Sequence, residues 1–486
     1  MAHSGFDLLA AARQEMLDEG FHPDFPPSVE EQLRTLKSQA ASPIVSGNAR
    51  DLRSLLWSSI DNDTSRDLDQ AEVAERVSGG IRVMIAIADV DSDVSIGSPI
   101  DQHAAEQATS VYTGIRTFSM LPEPLSTDLT SLNEAADRLA VVIDMVVGGD
   151  GSISSSSIYR AVVRNQAQLT YNGVGAWLEG GSAPPPKVGA SAALQAQLKL
   201  QDEAAQILLN ERHRLGALNI DRVEAEAVIS DGQVQGINTR KKNRASELIE
   251  DFMVAANGVM ARTLMKAGVS SIRRVVRTPE RWPRIVELAA RYGETLPAEP
   301  DSGALNAFLQ ERKAVDAVHY ADVSLAVIKL MGPGEYVLSR PGGEQQGHFA
   351  LAANDYTHST APNRRFADTV TQRLIKAVIA QTRSPYSDLQ LDSIARNCTL
   401  KEDAARKVER VMNKRIAAVA LRNRIGETFA AVVTGVTPKG VFVRVLNPPA
   451  EGLLTSGQQG VDVGDQLQVR LVSTDPRRGY IDFARQ

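Results

Sequence analysis

The stretch Ile60–Gln70, IDNDTSRDLDQ, sets Asp61, Asp63, Asp67 and Asp69 within nine residues, and Glu72 follows closely. Like charges at that density repel, so either water solvates them in an acidic turn or a cation holds them together. Apolar residues (Ile60, Leu68, Ala71) interleave with the acids. That pattern carries some carboxylates toward the interior, where they need a counter-ion. Counted from Asp61, oxygen-bearing side chains follow the spacing of a calcium loop: Asp61, Asp63, Ser65, Asp67, Asp69 and Glu72. Two features oppose that reading. The place where the loop wants glycine for its sharp turn is Arg66, and the GGIRVMIAIADV that follows reads as a glycine turn feeding a strand, not a helix. A hard cation such as Mg²⁺, bound by a few carboxylates together with phosphate oxygens, suits the pattern better.

At 486 residues the chain exceeds one ordinary core, so two or three domains are expected. Cys398 is the only cysteine. No intramolecular disulfide can form, which fits a reducing, cytoplasmic compartment. The start, MAHSGFDLLAAARQEMLDEG, lacks the basic and apolar regions of a secretory signal. No apolar run approaches the ~20 residues of a membrane span. A net charge of -6 does not by itself favour nucleic acid as a partner. Distribution points the other way: residues 401–424 carry eight basic residues (401, 406, 407, 410, 414, 415, 422, 424) against three acidic ones. Further basic clusters occur at 240–244, 273–277 and 363–365. Any one of them reads as a solvated face; several in an acidic chain favour a polyanion channel.

The order of patterns predicts an α+β fold. Residues 1–50 read as a short helical unit, helix-turn-helix-like or simply packed, around HPDFPPS, with Ser28 as an N-cap. Residues 51–425 alternate strand-rich and helical stretches. Gly148-Gly149-Asp150-Gly151 marks a hairpin, and EGGSAPPPKVGAS reads as an irregular loop. ALQAQLKLQDEAAQILLNERHR and ASELIEDFMVAANGVMARTLMKAG carry apolar residues at helical spacing. From Gly426 to the end, five short alternating strands separated by turns predict a small closed barrel of the OB type.

IDNDTSRDLDQA resembles the catalytic signature of the ribonuclease II (RNB) family, in which an initial Asp is followed six residues later by a D-x-D-D run. Asp61, Asp67 and Asp69 match its first three acids, and Gln70 departs from the fourth. YTHSTAPNRRFADTVTQRL at 356–374 resembles the family's YAHFTSPIRRYxD segment, SMLPEPLSTDLTSL its MLP…LS…LCSL stretch, and RASELIEDFMVAANGVMAR its VEE-MIAAN…AR helix. GxFAAVVTGV, GVFV and EGLL in the tail resemble the S1 RNA-binding domain. These matches follow the family's order over roughly residues 55 to 420 and on into the tail.

The resemblance implies a hydrolytic exoribonuclease that degrades single-stranded RNA from the 3′ end to nucleoside 5′-monophosphates, with no protein partner implied. It implies Asp61, Asp67 and Asp69 as ligands of Mg²⁺ (or Mn²⁺), with Gln70 at the rim or Asp63 as a substitute donor. By the same resemblance, Asp69 is the acid whose loss is expected to stop the chemistry. Arg364 is placed against the scissile phosphate, and Arg365 beside it on the RNA. Tyr171 and the pair Glu250/Asp251 fall at ribose-reading positions, with helical register favouring Asp251, and Tyr112 at a base-stacking position. The usual stacking partner of Tyr112 is missing, since the chain offers Leu218 and Asn219 there. Glu409 is expected to face solvent. The family's two cold-shock-type barrels do not fit in the 50 residues ahead of the body. Gln70 supports an alternative, an RNA-binding protein that keeps the fold without catalysis.

Overall fold

The computed structural model describes residues 6–39, 49–220, 224–230, 233–240, 242–316, 320–343 and 346–486. One strand of its main sheet shows how the sequence builds that sheet. In Gly80–Ala88 the residues Ile81, Val83, Ile85 and Ile87 alternate with Met84, Ala86 and Ala88. The branched set joins the large core on one face, and the smaller set joins a second core on the other. A strand covered on both faces needs this two-residue period.

The strands begin with β1 (Arg50–Asp51), β2 (Trp57–Asp61), β3 (Gln70–Val77) and β4 (Gly80–Ala88). A short ribbon, β5 (Val111–Tyr112) and β6 (Thr117–Phe118), precedes the long hairpin β7 (Asp137–Val147) and β8 (Ile153–Thr170). Six of these form one mixed sheet in the order β1-β8-β2-β3-β4-β7, with β7 also paired to β8. The expected glycine turn at 148–151 joins that last pair. Two further ribbons are β9 (Glu224–Ser230) with β10 (Gln233–Arg240), and β11 (Ser271–Val275) with β12 (Glu335–Ser339).

Helices α1 (Leu8–Asp18) and α2 (Pro27–Gln39) precede the sheet. Within the body lie α3 (Pro99–Gln107), α4 (Tyr171–Leu178), the single turn α5 (Pro186–Gly189), α6 (Ala192–Arg214) and α7 (Arg244–Lys266). Then come α8 (Trp282–Arg291), α9 (Ser302–Val315), α10 (Tyr320–Met331), α11 (Phe366–Ile379) and the long α12 (Asp388–Leu421). Helices α6, α7 and α11 cover the branched face of the sheet with residues such as Leu198, Leu248, Phe252 and Val370, all fully buried. Asn243 caps α7 through a reciprocal pair of bonds with Ser246. Among the described residues no helix is long and apolar enough to cross a membrane.

Two local expectations need correction. Ser28 does not cap α2, because Pro27 opens that helix; a proline presets the helical φ and brings no N–H that needs a cap. The Pro/Gly-rich loop contains α5, one helical turn nucleated after Pro185. Part of the N-terminal stretch (1–5 and 40–48) and Lys241 of the 240–244 cluster lie outside the described residues.

The N-terminal helices pack onto the body. Leu8, Ala12 and Met16 of α1 share a buried cluster with Val111 of β5 and with Val408, Met412 and Ile416 of α12. Val29 of α2 joins the main core. At the other end, β13 (Thr428–Thr437), β14 (Gly440–Leu446), β15 (Pro449–Ser456), β16 (Gln466–Asp475) and β17 (Tyr480–Arg485) close into a barrel in the order β13-β14-β15-β17-β16. Ala417, Ala418 and Leu421 of α12 join the barrel's own core, so the helix is built into its base. Gly479 (φ +67°) brings the β16–β17 turn so close to α12 that a Cβ there would lie 2.9 Å from that of Lys414.

Candidate active site

Strand register gathers the acids. β2 and β8 run parallel with Asp61 opposite Thr170, and Thr170 caps α4, whose first residue is Tyr171. β3 returns antiparallel from Gln70. The end of β2, the end of β8 and the start of β3 therefore meet at one end of the sheet, with Asp61 closing β2 and Asp63, Asp67 and Asp69 on its connection to β3. Asp61 accepts bonds from the Asn62 N–H (2.7 Å) and the Ser65 hydroxyl (2.8 Å). Asp63 is exposed and tied to Asn172 of α4.

Asp69 is only 3% exposed. Its Oδ1 accepts the Asn363 N–H at 3.0 Å, and its Oδ2 lies 3.8 Å from Nε of Arg364. Burial pushes its carboxyl up to about 8; the Arg364 charge opposes this and Asp67 adds to it. Asp67 is raised in the same way, first by burial, with Arg364 pulling it down and Asp61 pushing it up. One guanidinium, that of Arg364, therefore faces both Asp67 and Asp69. Among the described residues no group of three or more His, Cys, Asp or Glu side chains is placed to hold a metal ion by itself. Buried, mutually repelling carboxylates with one partial counter-charge fit a hard cation that keeps open positions for water and phosphate. Gln70 is 7% exposed, and its Nε2 donates to the Ile60 carbonyl at 3.4 Å. That leaves its Oε1 as the atom a cation can use.

The calcium-loop reading fails here, because strands flank the acids and Glu72 lies inside the sheet. Glu72 is fully buried with both carboxylate oxygens unbonded. Burial, then the Asp61 charge, raises its pKa well above the usual carboxylate range.

Arg364 and Tyr112 act on each other and on Asp69. The Arg364 side chain is 45% exposed and Tyr112 is 42% exposed. Yet desolvation is the largest influence on both, and it drives the Tyr112 phenol up to about 12. Pairing of 108–110 with 364–366 sets the two residues side by side: the Ser110 N–H donates to the Arg364 carbonyl (3.0 Å) and the Phe366 N–H to that of Ala108 (2.9 Å). Glu409, expected in solvent, is instead half-buried and accepts the Tyr112 N–H at 3.1 Å. It anchors β5 to α12.

Three expected RNA contacts have protein partners. Arg365 makes a two-point bond to the fully buried Asp368 (2.8 and 2.7 Å) in the first turn of α11. Asp251 is 1% exposed and paired with Arg212, whereas Glu250 reaches solvent and pairs with Lys242 at 2.5 Å. Accessibility reverses the register argument: of the two acids, Glu250 is the one a ligand can reach. Tyr171 is half-buried beside the acids, and its carbonyl accepts from Asn243 at 3.0 Å. Asn363 was missed as more than part of a basic triplet. Besides its N–H to Asp69, its Oδ1 accepts the Thr130 hydroxyl at 2.6 Å. Its place next to Arg364 was the only available signal.

The chain matches the RNB domain over residues 49–381 and the RNase II-type exonuclease C-terminal S1 domain over 427–486. It belongs to the RNB family. It is 29% identical to Ribonuclease R 1 of Lactococcus lactis over 95% of this chain and 59% of that protein. It is 28% identical to Ribonuclease R of Escherichia coli over 95% of this chain and 60% of that protein. The chain thus spans about three fifths of the length of those relatives. Mycoplasma genitalium RNase R, solved with ribose-methylated single-stranded RNA, shares the fold with a TM-score of 0.88 at 24% identity, covering 99% of this chain and 78% of that one. Yeast Ssd1, described as a pseudonuclease, matches with a TM-score of 0.72 at 18% identity, covering 92% of this chain and 56% of that one.

Proposed function

We propose that this protein is a hydrolytic exoribonuclease that shortens single-stranded RNA from its 3′ end and releases nucleoside 5′-monophosphates. The fold alone does not decide this, since Ssd1 has it too. The observation that carries the reading is Asp69, buried with Asp67 and Asp61 nearby and held between the Asn363 N–H and Arg364. The alternative of an RNA binder without catalysis rests on Gln70, and the three remaining acids argue against it.

Asp61, Asp67 and Asp69, with Gln70 at the rim, would hold a divalent cation, Mg²⁺ by its preference for carboxylate and phosphate oxygens, with Mn²⁺ as a substitute. Such a cation supplies an activated water and neutralises phosphate charge. In the reaction a water oxygen joins phosphorus while the bond from phosphorus to the 3′-oxygen of the remaining chain breaks. That oxygen takes the proton, and the phosphate leaves on the 5′ side of the released nucleoside. Arg364 presents a planar fork to the charge that develops on the phosphoryl oxygens. Tyr112 offers a face for base stacking. Tyr171 with Glu250 reads the 2′-hydroxyl that separates RNA from DNA. Arg365 and Asp251, whose charges are paired within the protein, act by holding the Arg364 segment and α7 in place. We retain three units (1–50, 51–425 and 426–486), the last as a second grip on RNA, and a cytoplasmic location.

The test uses 5′-labelled single-stranded RNA with Mg²⁺, comparing the wild type with Asp69→Asn. Shortening to a small labelled core by the wild type alone is the expected result. Intact RNA that is still bound, with salt-sensitive affinity, would support the non-catalytic reading. An equivalent DNA strand should remain intact.

A further inference from the structure

Asp69 is joined to α11 twice, once at its carboxylate and once at its main chain. On the first side the Asn363 N–H donates to Oδ1 at 3.0 Å, and Nε of Arg364 lies 3.8 Å from Oδ2. The 361–364 segment is itself tied to the first turn of the helix: Asp368 accepts the Ala361 N–H at 2.8 Å, and the Thr369 hydroxyl donates to the Pro362 carbonyl at 3.2 Å. On the second side the Ala88 N–H donates to the Asp69 carbonyl at 2.9 Å, one step beyond the last β3–β4 pair, Gln70 with Ile87. The Ala88 carbonyl in turn accepts Nε2 of Gln372 at 2.9 Å. The two links close a ring from Asp69 through α11 and Ala88 back to Asp69.

Stability does not account for a glutamine at this point. Gln372 is fully buried among Val370, Leu374 and Ile375 of the same helix, and its Oε1 has no hydrogen-bond partner among the described residues. An apolar side chain would leave no such unmet acceptor. The amide is not needed to dock the helix either. Arg373 binds Asp91 at 2.6 Å and the Val94 carbonyl at 2.7 Å, and Lys376 bridges Asp89 (2.7 Å) and Asp91 (2.8 Å). These ion pairs fasten α11 to the segment after β4. Gln372 instead reaches Ala88, the residue that holds the Asp69 main chain.

We propose that Gln372 is a positioning residue for RNA hydrolysis, which through the Ala88 carbonyl fixes the spacing between Asp69 and the Arg364 fork. The reaction named here rests on the exoribonuclease reading; the placement of Asp69 by Gln372 does not. Without the amide donor the ring opens at Ala88, and the main chain of Asp69 is no longer tied to the helix that carries Asn363 and Arg364. A misplacement on the scale of an ångström, even from a change remote from the chemistry, slows an oriented reaction about 10²-fold. The same shift alters how the Asp69 carboxylate is aimed, and so the affinity for a divalent cation.

Gln372→Met, close to glutamine in size, removes the donor and the unmet acceptor together and tests the proposal in the full chain. Hydrolysis of single-stranded RNA with Mg²⁺ should show kcat lowered at least about tenfold with KM unchanged, the signature of an interaction that matters in the transition state. The metal-free variant should take up Mn²⁺ at least about threefold more weakly than the wild type. It should melt close to the wild type, since the lost bond is offset by the unmet acceptor that leaves with it. Lys376→Met should behave in the opposite way. It should melt lower, because Asp89 stays buried with one cation fewer, and keep the wild-type kcat per folded molecule. Wild-type kcat in Gln372→Met, or a loss no larger than its loss of folded protein, overturns the proposal. RNA left intact by the wild type overturns the exoribonuclease reading instead, and the Mn²⁺ comparison then decides the placement by Gln372: equal uptake by variant and wild type overturns it.

Discussion

Two dense runs of charge in this sequence meet opposite fates. The eight basic residues at 401–424 suggest a polyanion surface, yet five of them are engaged by the protein itself. Lys401 binds the Gly20 carbonyl and Lys407 pairs with Glu19 (2.5 Å each), and Arg415 pairs with Glu15 at 3.1 Å. Arg406 pairs with Asp403 at 3.1 Å and Arg424 with Glu427 at 2.7 Å. The acids of the β2–β3 connection instead face one another with Arg364 alone to offset them. Charge density in a sequence does not separate scaffold from site; whether the fold supplies counter-charges does. Glu15 of α1, Glu19 and the Gly20 carbonyl just beyond it, and acids of α12 and its C-terminal side supply them for the basic run, and beyond Arg364 nothing comparable reaches Asp67 and Asp69 among the described residues.

The contrast is sharpest at Asp69. Asp69→Asn should reduce RNA hydrolysis by about three orders of magnitude, near 4 kcal/mol of lost transition-state stabilisation. In EDTA it should melt no lower than the wild type, because the amide removes a repelled acid. Loss of fold along with activity would place Asp69 in the scaffold class instead. Arg365→Met should show the reverse weighting. Asp368 would remain buried without its cation, at a cost of about 3 kcal/mol in denaturant unfolding.

A smaller effect is expected in pH. Burial raises the Asp251 carboxyl to about 7 although Arg212 and Arg244 pull it down. The folded chain therefore holds this proton more tightly than the unfolded chain. Stability should fall as pH rises from the ordinary carboxylate range toward about 7, then level off. Asp251→Asn should make that slope shallower in unfolding curves taken between pH ~4 and ~8, leaving the share that the raised carboxyls of Asp67, Asp69 and Glu72 contribute. The smallest effect belongs to the basic run: Lys407→Ala, at a half-exposed pair, should cost less than about 1 kcal/mol and leave RNA hydrolysis unchanged. A strong loss of RNA affinity in that variant would return α12 to the functional class.

What the sequence revealed follows the range of the interactions involved. The acid spacing, the glycine turn at 148–151, the alternation in β4 and the strands of the barrel are local patterns, and the fold honours them. The contacts that complete the site are not local. The Asn363 N–H reaches Asp69 across 294 positions and Glu409 anchors Tyr112 across 297, so no motif ties these partners together. The preference for Asp251 over Glu250 rested on helical register, which gives a direction but not what lies there; Arg212 lies there. Within the basic cluster 273–277 the sequence does not separate Arg274, bound to Glu402, from the equally buried Arg273, which has no such partner among the described residues.

The central claim is that the three uncompensated aspartates are held open for a divalent ion. Titrating the metal-free chain with Mn²⁺, and following the free ion by electron paramagnetic resonance, tests it without any RNA. The wild type should remove Mn²⁺ from solution saturably and release it to excess Mg²⁺, while Asp61→Asn and Asp69→Asn should bind at least about tenfold more weakly. Equal Mn²⁺ uptake by all three proteins, or none by the wild type, would contradict the account.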